Sequence, residues 1–134
     1  MTDLFWKESR IAVSLFQRGD FTLHSGNRAL WKIECDALTQ EDWETLAFIV
    51  SNTYSFKKVE GVPRGGLPFA RALEKYAKPD IGAIDLLLVD DVMTTGESMA
   101  AHRGNRTNVV GVVVFYRSYQ PCPWWIEPIF TLTL

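Results

Sequence analysis

Two adjacent carboxylates, Asp90 and Asp91, follow the apolar run Ile84, Leu86, Leu87, Leu88 and Val89. An acidic pair at the end of a buried strand can bind hydroxyls or a hydrated Mg²⁺ ion. Side chains alternate along a strand, so the two carboxylates are expected to point different ways. Directly behind them, Thr94-Thr95-Gly96-Glu97-Ser98 leads into a short helix ending near Arg103. Backbone N–H groups at a helix start point outward with the positive end of the helix dipole, and the hydroxyls of Thr94, Thr95 and Ser98 add donors. The loop reads as a phosphate cradle without lysine, with Glu97 acting through its backbone because its charge opposes phosphate. A helix cap explains a Ser/Thr-rich turn; it does not explain the two acids that precede this one.

Upstream lies a second loop, Val62-Pro63-Arg64-Gly65-Gly66. Glycines let backbone approach an anion closely, and Arg64 offers a charged fork. Leu67 then opens another helix. The loop is not a Walker A sequence, since G-x-x-x-x-G-K-[ST] is absent. Taken alone it is an ordinary turn.

The elements around these loops follow from periodicity. Leu4–Arg18 has apolar residues at helical spacing, with Gly19-Asp20 as its stop. Short strands are predicted at Phe21–Leu23 and Ala29–Ile33, joined by a turn over residues 24–28. Thr39 and Asp42 form a capping-box-like pair, with Leu38 and Trp43 as a hydrophobic staple, opening a helix to about Asn52. Lys57–Gly61 is a strand and Leu67–Ala77 a helix. Ile84–Val89 lacks alternation, as expected of a strand buried on both faces of a parallel sheet. Asn108–Tyr116 is a second such strand, and Ile129–Leu134 alternates like an edge. Strand, loop and helix in repeated order predict a doubly wound α/β fold with a mainly parallel sheet, in which ligands bind beyond the carboxyl ends of the strands.

Composition narrows the function classes. The chain has 134 residues, 47% hydrophobic and 22% charged, and is read as one globular domain over 1–134. A net charge of −2 gives no basic surface for nucleic acid or an anionic membrane. No apolar stretch is long enough for a membrane span, and the charged N-terminus is not read as a signal peptide. Cys35 and Cys122 form no CxxC pair, which suits a reducing cytoplasm. Neither cysteine has zinc-motif spacing with His24 or His102, so no zinc site is expected.

The acidic pair and T-T-G-E-S loop together closely resemble the signature of type I phosphoribosyltransferases, which bind phosphoribosyl pyrophosphate (PRPP). The resemblance implies that Asp90 and Asp91 hold the ribose 2′ and 3′ hydroxyls, and Mg²⁺ through water or those hydroxyls. It implies that Thr94, Thr95, Gly96, Glu97 and Ser98 hold the 5′-phosphate. Val62, Pro63, Arg64, Gly65 and Gly66 resemble the family's pyrophosphate loop, in the family's order. The segment Phe21-Thr22-Leu23-His24-Ser25-Gly26 is similar to the F-x-L-K-S-G of orotate phosphoribosyltransferases, with His24 where lysine is usual. By that resemblance His24, Ser25, Trp31 and Arg117 contact the base. Hypoxanthine-guanine enzymes carry an aspartate where Thr94 stands, and threonine cannot serve as that base. The implied protein is a cytoplasmic, Mg²⁺-dependent, homodimeric transferase of pyrimidine biosynthesis with a small N- and C-terminal hood. Its partners would be PRPP, a nucleobase and pyrophosphate.

The chain departs from the family between the two loops. Relatives spend extra strands and a mobile lid there, whereas residues 67–85 are mostly one helix. A lid excludes water and completes a site. It is replaced here, supplied by a partner subunit, or absent from a protein that binds PRPP without turning it over. The Trp124-Trp125 pair, set among prolines, reads as a tail wrapping the sheet edge or a dimer contact, or as a surface for stacking a base.

Overall fold

A computed structural model describes residues 13–23 and 26–133 and divides the chain into two compact units, 1–39 and 40–134. In the first unit, β1 (Phe16–Thr22) pairs antiparallel with β2 (Arg28–Ile33). The helix expected over Leu4–Arg18 lies mostly outside the described residues, but its last part is strand. Phe16, Gln17 and Arg18 pair with Ile33, Lys32 and Trp31, so hairpin pairing overrides the local helical period. Gly19-Asp20 therefore stops nothing. The register shifts between Arg18 and Phe21, and the bulge there lets the strand continue. A Cβ on Gly19 would stand 2.8 Å from the Phe21 ring, so the absent side chain makes room for that ring. A single-turn 3-10 helix, Cys35–Ala37, ends the unit, and the Asp36 N–H donates to the Glu34 carboxylate.

The second unit is a parallel α/β layer structure. Its elements are α1 (Gln40–Thr53), β3 (Val59–Gly61), α2 (Leu67–Leu73), a 3-10 turn (Glu74–Tyr76), β4 (Leu86–Met93), α3 (Glu97–Arg103), β5 (Val109–Arg117) and β6 (Ile126–Leu132). The sheet order is β3-β4-β5-β6, all parallel. Trp43, Leu46, Ala47 and Val50 recur at helical spacing and form the buried stripe of α1. Trp43 meets Phe69 of α2 with ring centroids 5.7 Å apart. The expected strand at Ile84–Val89 starts and ends later, because β4 pairs with β5 as far as Met93 opposite Tyr116. Asp90 is consequently inside the ladder, opposite Val113, rather than beyond the strand's end.

The two sheet faces carry different helices. Gly61 and Val89 are register partners, and a Cβ on Gly61 would lie 3.0 Å from Ala70 of α2. Leu88 and Gly111 are also register partners, and a Cβ on Gly111 would lie 2.7 Å from Met99 of α3. Leu88 and Val89 point to opposite faces, so α2 and α3 cover opposite faces. Leu86, Leu88, Met99, Val113, Trp125 and Ile126 form the buried cluster under α3. Both helices nevertheless serve a step in the same direction along the sheet. The β3–α2–β4 and β4–α3–β5 crossovers therefore have opposite hands, and one is the left-handed form found in only about 2% of such connections.

Residues 118–125 carry β5 into β6 without a helix. Tyr116 donates its hydroxyl to the Gln120 carbonyl at 2.6 Å, and the Gly111 N–H donates to Trp125 O at 2.8 Å. Trp125 is buried beneath the Arg103 guanidinium, 4.5 Å from its ring, whereas Trp124 is 91% exposed. Among the described residues no helix is long and apolar enough to cross a membrane.

Candidate active site

The carboxyl ends of β3 and β4 bring the two loops together. The Val62 N–H donates to Val89 O at 2.9 Å, so the first loop stays attached to the central strand as it leaves β3. The Gly66 N–H closes the loop on Val62 O at 2.8 Å, and the Leu67 N–H bonds Arg64 O at 3.1 Å. The Pro63–Arg64 peptide is cis. A Cβ on Gly66 would stand 2.5 Å from Val89 O. On Gly65 it would fall 2.5 Å from both Cγ and Oδ1 of Asp91. A side chain on Gly66 would run into backbone and one on Gly65 would have to push the Asp91 carboxylate aside, so the first loop's backbone lies directly against that carboxylate. Pro63 and Arg64 are exposed. Among the described residues, no backbone carbonyl accepts from the N–H groups of Arg64 or Gly65.

Alternation sets the two Cβ atoms on opposite faces, while the neighbouring Asp91 still bears on the Asp90 carboxyl. Each carboxyl is turned along the strand: Asp90 Oδ1 accepts the Asp91 N–H at 2.8 Å, and Asp91 Oδ1 accepts the Val92 N–H at 2.7 Å. Asp90 is 8% exposed. Burial, then the hydrogen bond and charge of Asp91, push its carboxyl up to about 8 against the one opposing bond from the Asp91 N–H. A carboxyl that holds its proton near neutrality is a donor as well as an acceptor, and a nearby cation favours the ionised form.

Beyond β4, Thr94 is half-buried and Thr95 and Ser98 are exposed. Gly96 turns the chain at φ 85° into α3, a left-handed conformation that favours glycine. The Thr95 hydroxyl accepts the Glu97 N–H at 3.3 Å, so the Glu97 backbone is already engaged within the loop. A Cβ on Gly96 would touch Met93 Sδ and Pro123 Cγ at 3.5 Å. The β5–β6 connection thus lies beside the Thr94–Ser98 loop, a contact that sequence spacing did not signal.

The remaining sequence-predicted residues fall as follows. Arg117 ends β5 opposite Leu132, 3% exposed, and burial lowers the pKa of its guanidinium. Trp31 is half-buried on β2, opposite Arg18, in the first unit. His24 and Ser25 lie outside the described residues. The second unit alone brings together Val62–Gly66, Asp90, Asp91 and Thr94–Ser98.

Among the described residues no three His, Cys, Asp or Glu side chains converge on one point. Two carboxyls beside an open glycine loop do fit Mg²⁺, which commonly keeps several waters and takes one or two carboxylates plus substrate phosphates.

The chain has the type I phosphoribosyltransferase fold. Orotate phosphoribosyltransferase of Aeropyrum pernix superposes with a TM-score of 0.62 at 24% identity, over 87% of this chain and 88% of that one. Mycobacterium tuberculosis orotate phosphoribosyltransferase gives 0.60 at 20% identity, over 87% and 88%. Leishmania donovani UMP synthase gives 0.67 at 19% identity, over 88% of this chain and 34% of that one. No family model and no curated relative matches the sequence.

Proposed function

We propose that the protein is a PRPP-dependent phosphoribosyltransferase acting on an orotate-like pyrimidine base. The observation that carries this reading is the contact of Gly65 with the Asp91 carboxylate, which joins an anion-binding glycine loop to a sugar-binding acidic pair. Asp90 and Asp91 hold the ribose hydroxyls. Thr94, Thr95, Gly96 and Ser98 hold the 5′-phosphate. Arg64 and the N–H groups of the Val62–Gly66 loop hold pyrophosphate. The base nitrogen forms a bond to the anomeric carbon as the bond to pyrophosphate oxygen breaks, with that electron pair leaving on pyrophosphate. The nitrogen's proton, if it carries one, passes to solvent. The transition state is oxocarbenium-like, so the protein's task is orientation and charge neutralisation. Mg²⁺, held at Asp90 and Asp91 through water or ribose hydroxyls, would neutralise pyrophosphate charge. Arg117, at the carboxyl end of β5, is the candidate for reading the base.

A second reading, a PRPP or nucleotide sensor that does not turn ligand over, is favoured by the connection between the loops. Residues 67–85 form α2, a 3-10 turn and a turn that pairs at Ile84 with Phe56, with no lid-like segment. Pyrophosphate release with PRPP, Mg²⁺ and a panel of bases separates the two when run beside calorimetry. Base-dependent release supports the enzyme. Binding without release supports the sensor. Absence of both refutes the shared site.

A further inference from the structure

Glu60 stands two residues before the glycine loop, on the α3 face of β3, and its carboxylate is the hub of a charged cluster. Arg106 Nη1 donates to both of its oxygens at 3.1 Å, His102 Nε2 lies 3.3 Å away and Lys58 Nζ 3.4 Å away. Arg106 also donates to the carbonyl of His102 at 2.7 Å and through Nε to that of Arg103 at 3.1 Å, so the same guanidinium closes the carboxyl end of α3. The opposite end of α3 is the Thr94–Ser98 loop. One fork thus ties the strand that launches the first loop to the helix that carries the second, across the intervening β4. The planar guanidinium bonds at both edges, a geometry that lysine could not reproduce.

We infer that Glu60 and Arg106 are positioning residues that fix the spacing between the two anion loops, so that a ligand with phosphate groups at both ends finds both loops in place. This rests on the function proposed above. A ligand bridging two loops depends on their separation, because misplacement by about an ångström at either end forfeits binding at that end. A ligand held by one loop does not depend on it. The tether therefore acts on PRPP and not on ribose 5-phosphate or inorganic pyrophosphate alone. Simple capping of α3 by Arg106 has another signature: its loss would weaken ribose 5-phosphate, which uses that helix's loop.

The test compares wild type, Glu60→Gln, Arg106→Lys and the double variant by calorimetry, with PRPP, ribose 5-phosphate and pyrophosphate, each with Mg²⁺. Glu60→Gln is expected to weaken PRPP about five- to tenfold and leave the two partial ligands within about twofold; Arg106→Lys, which also loses the α3 cap, is expected to weaken PRPP by at least as much and ribose 5-phosphate as well, and to leave pyrophosphate within about twofold. The double variant should be no worse than Arg106→Lys alone. Equal weakening of all three ligands, or unchanged PRPP affinity, overturns the inference. Hydrogen exchange in the ligand-free protein reads the tether separately. Glu60→Gln should speed exchange in residues 62–66 and 97–103 together, and unchanged exchange in either segment overturns the tether. If wild type binds no PRPP while both segments loosen together, the functional reading fails and the mechanical tether stands.

Discussion

Replacing Asp90 by Asn should stabilise the protein, by an amount set by pH. The folded carboxyl titrates at about 8, against 3.8 when unperturbed. Between those values the folded state holds a proton that the unfolded state has released, so stability falls as pH rises through that window. At pH 7 the penalty is at most about 4 kcal/mol, from 1.36 kcal/mol per pH unit over the interval above 3.8. Asn carries no charge to desolvate. Its Oδ1 can still accept the Asp91 N–H, and its Nδ2 can donate to the Asp91 carboxyl. The variant should melt higher by up to on the order of 10 °C at neutral pH and gain almost nothing near pH 4. Denaturant titrations of both proteins across that range, followed by circular dichroism, measure the difference directly. An Asn gain that is the same at every pH, or that shrinks from pH 4 to 7, would refute the reasoning. The stabilised variant should bind PRPP more weakly, as expected when a site retains a group that the fold would be more stable without.

Gly65→Ala should abolish PRPP binding, at least about a hundredfold by calorimetry, because the new methyl falls on the Asp91 carboxylate. Gly96→Ala meets nothing closer than 3.5 Å and suffers only from its φ of 85°. It should cost about 1–2 kcal/mol in denaturant titration and weaken ribose 5-phosphate more than pyrophosphate. Phe69→Ala, which removes a fully buried ring packed beside Trp43, should cost about 3–5 kcal/mol with no specific change in ligand preference among the molecules that remain folded.

Much of this architecture was legible because local pattern and tertiary demand agree. The unbroken apolar run before Asp90 is a strand buried on both faces, and it forms the middle of the sheet. Thr94–Ser98 turns into a helix where its composition calls for one. Agreement fails where pairing decides. Phe16–Arg18 has a helical period but a strand partner, and only the fold supplies that partner. The seating of each carboxyl of the acidic pair on the next backbone N–H was also hidden, since alternation describes Cβ directions and not side chains bent along the chain. Gly65 looks like any turn glycine in sequence. Its need to be glycine comes from Asp91, far along the chain. The cluster on Glu60 is illegible for the same reason: Arg106 follows α3 and meets β3 only across the sheet.

The opposite hands of the two crossovers bear on how this chain could be lengthened. Among the described residues no strand of the same unit pairs beyond β3, and residues 77–85 are the return path from α2 to β4. A strand spliced into that path and laid outside β3 would reverse the direction of the step served by α2. Both helices would then serve crossovers of one hand, and β3, β4 and the loops at residues 62–66 and 94–98 would stay where they are. The connection is thus a natural graft point, where a lid with its supporting strands could be added to this scaffold as a module.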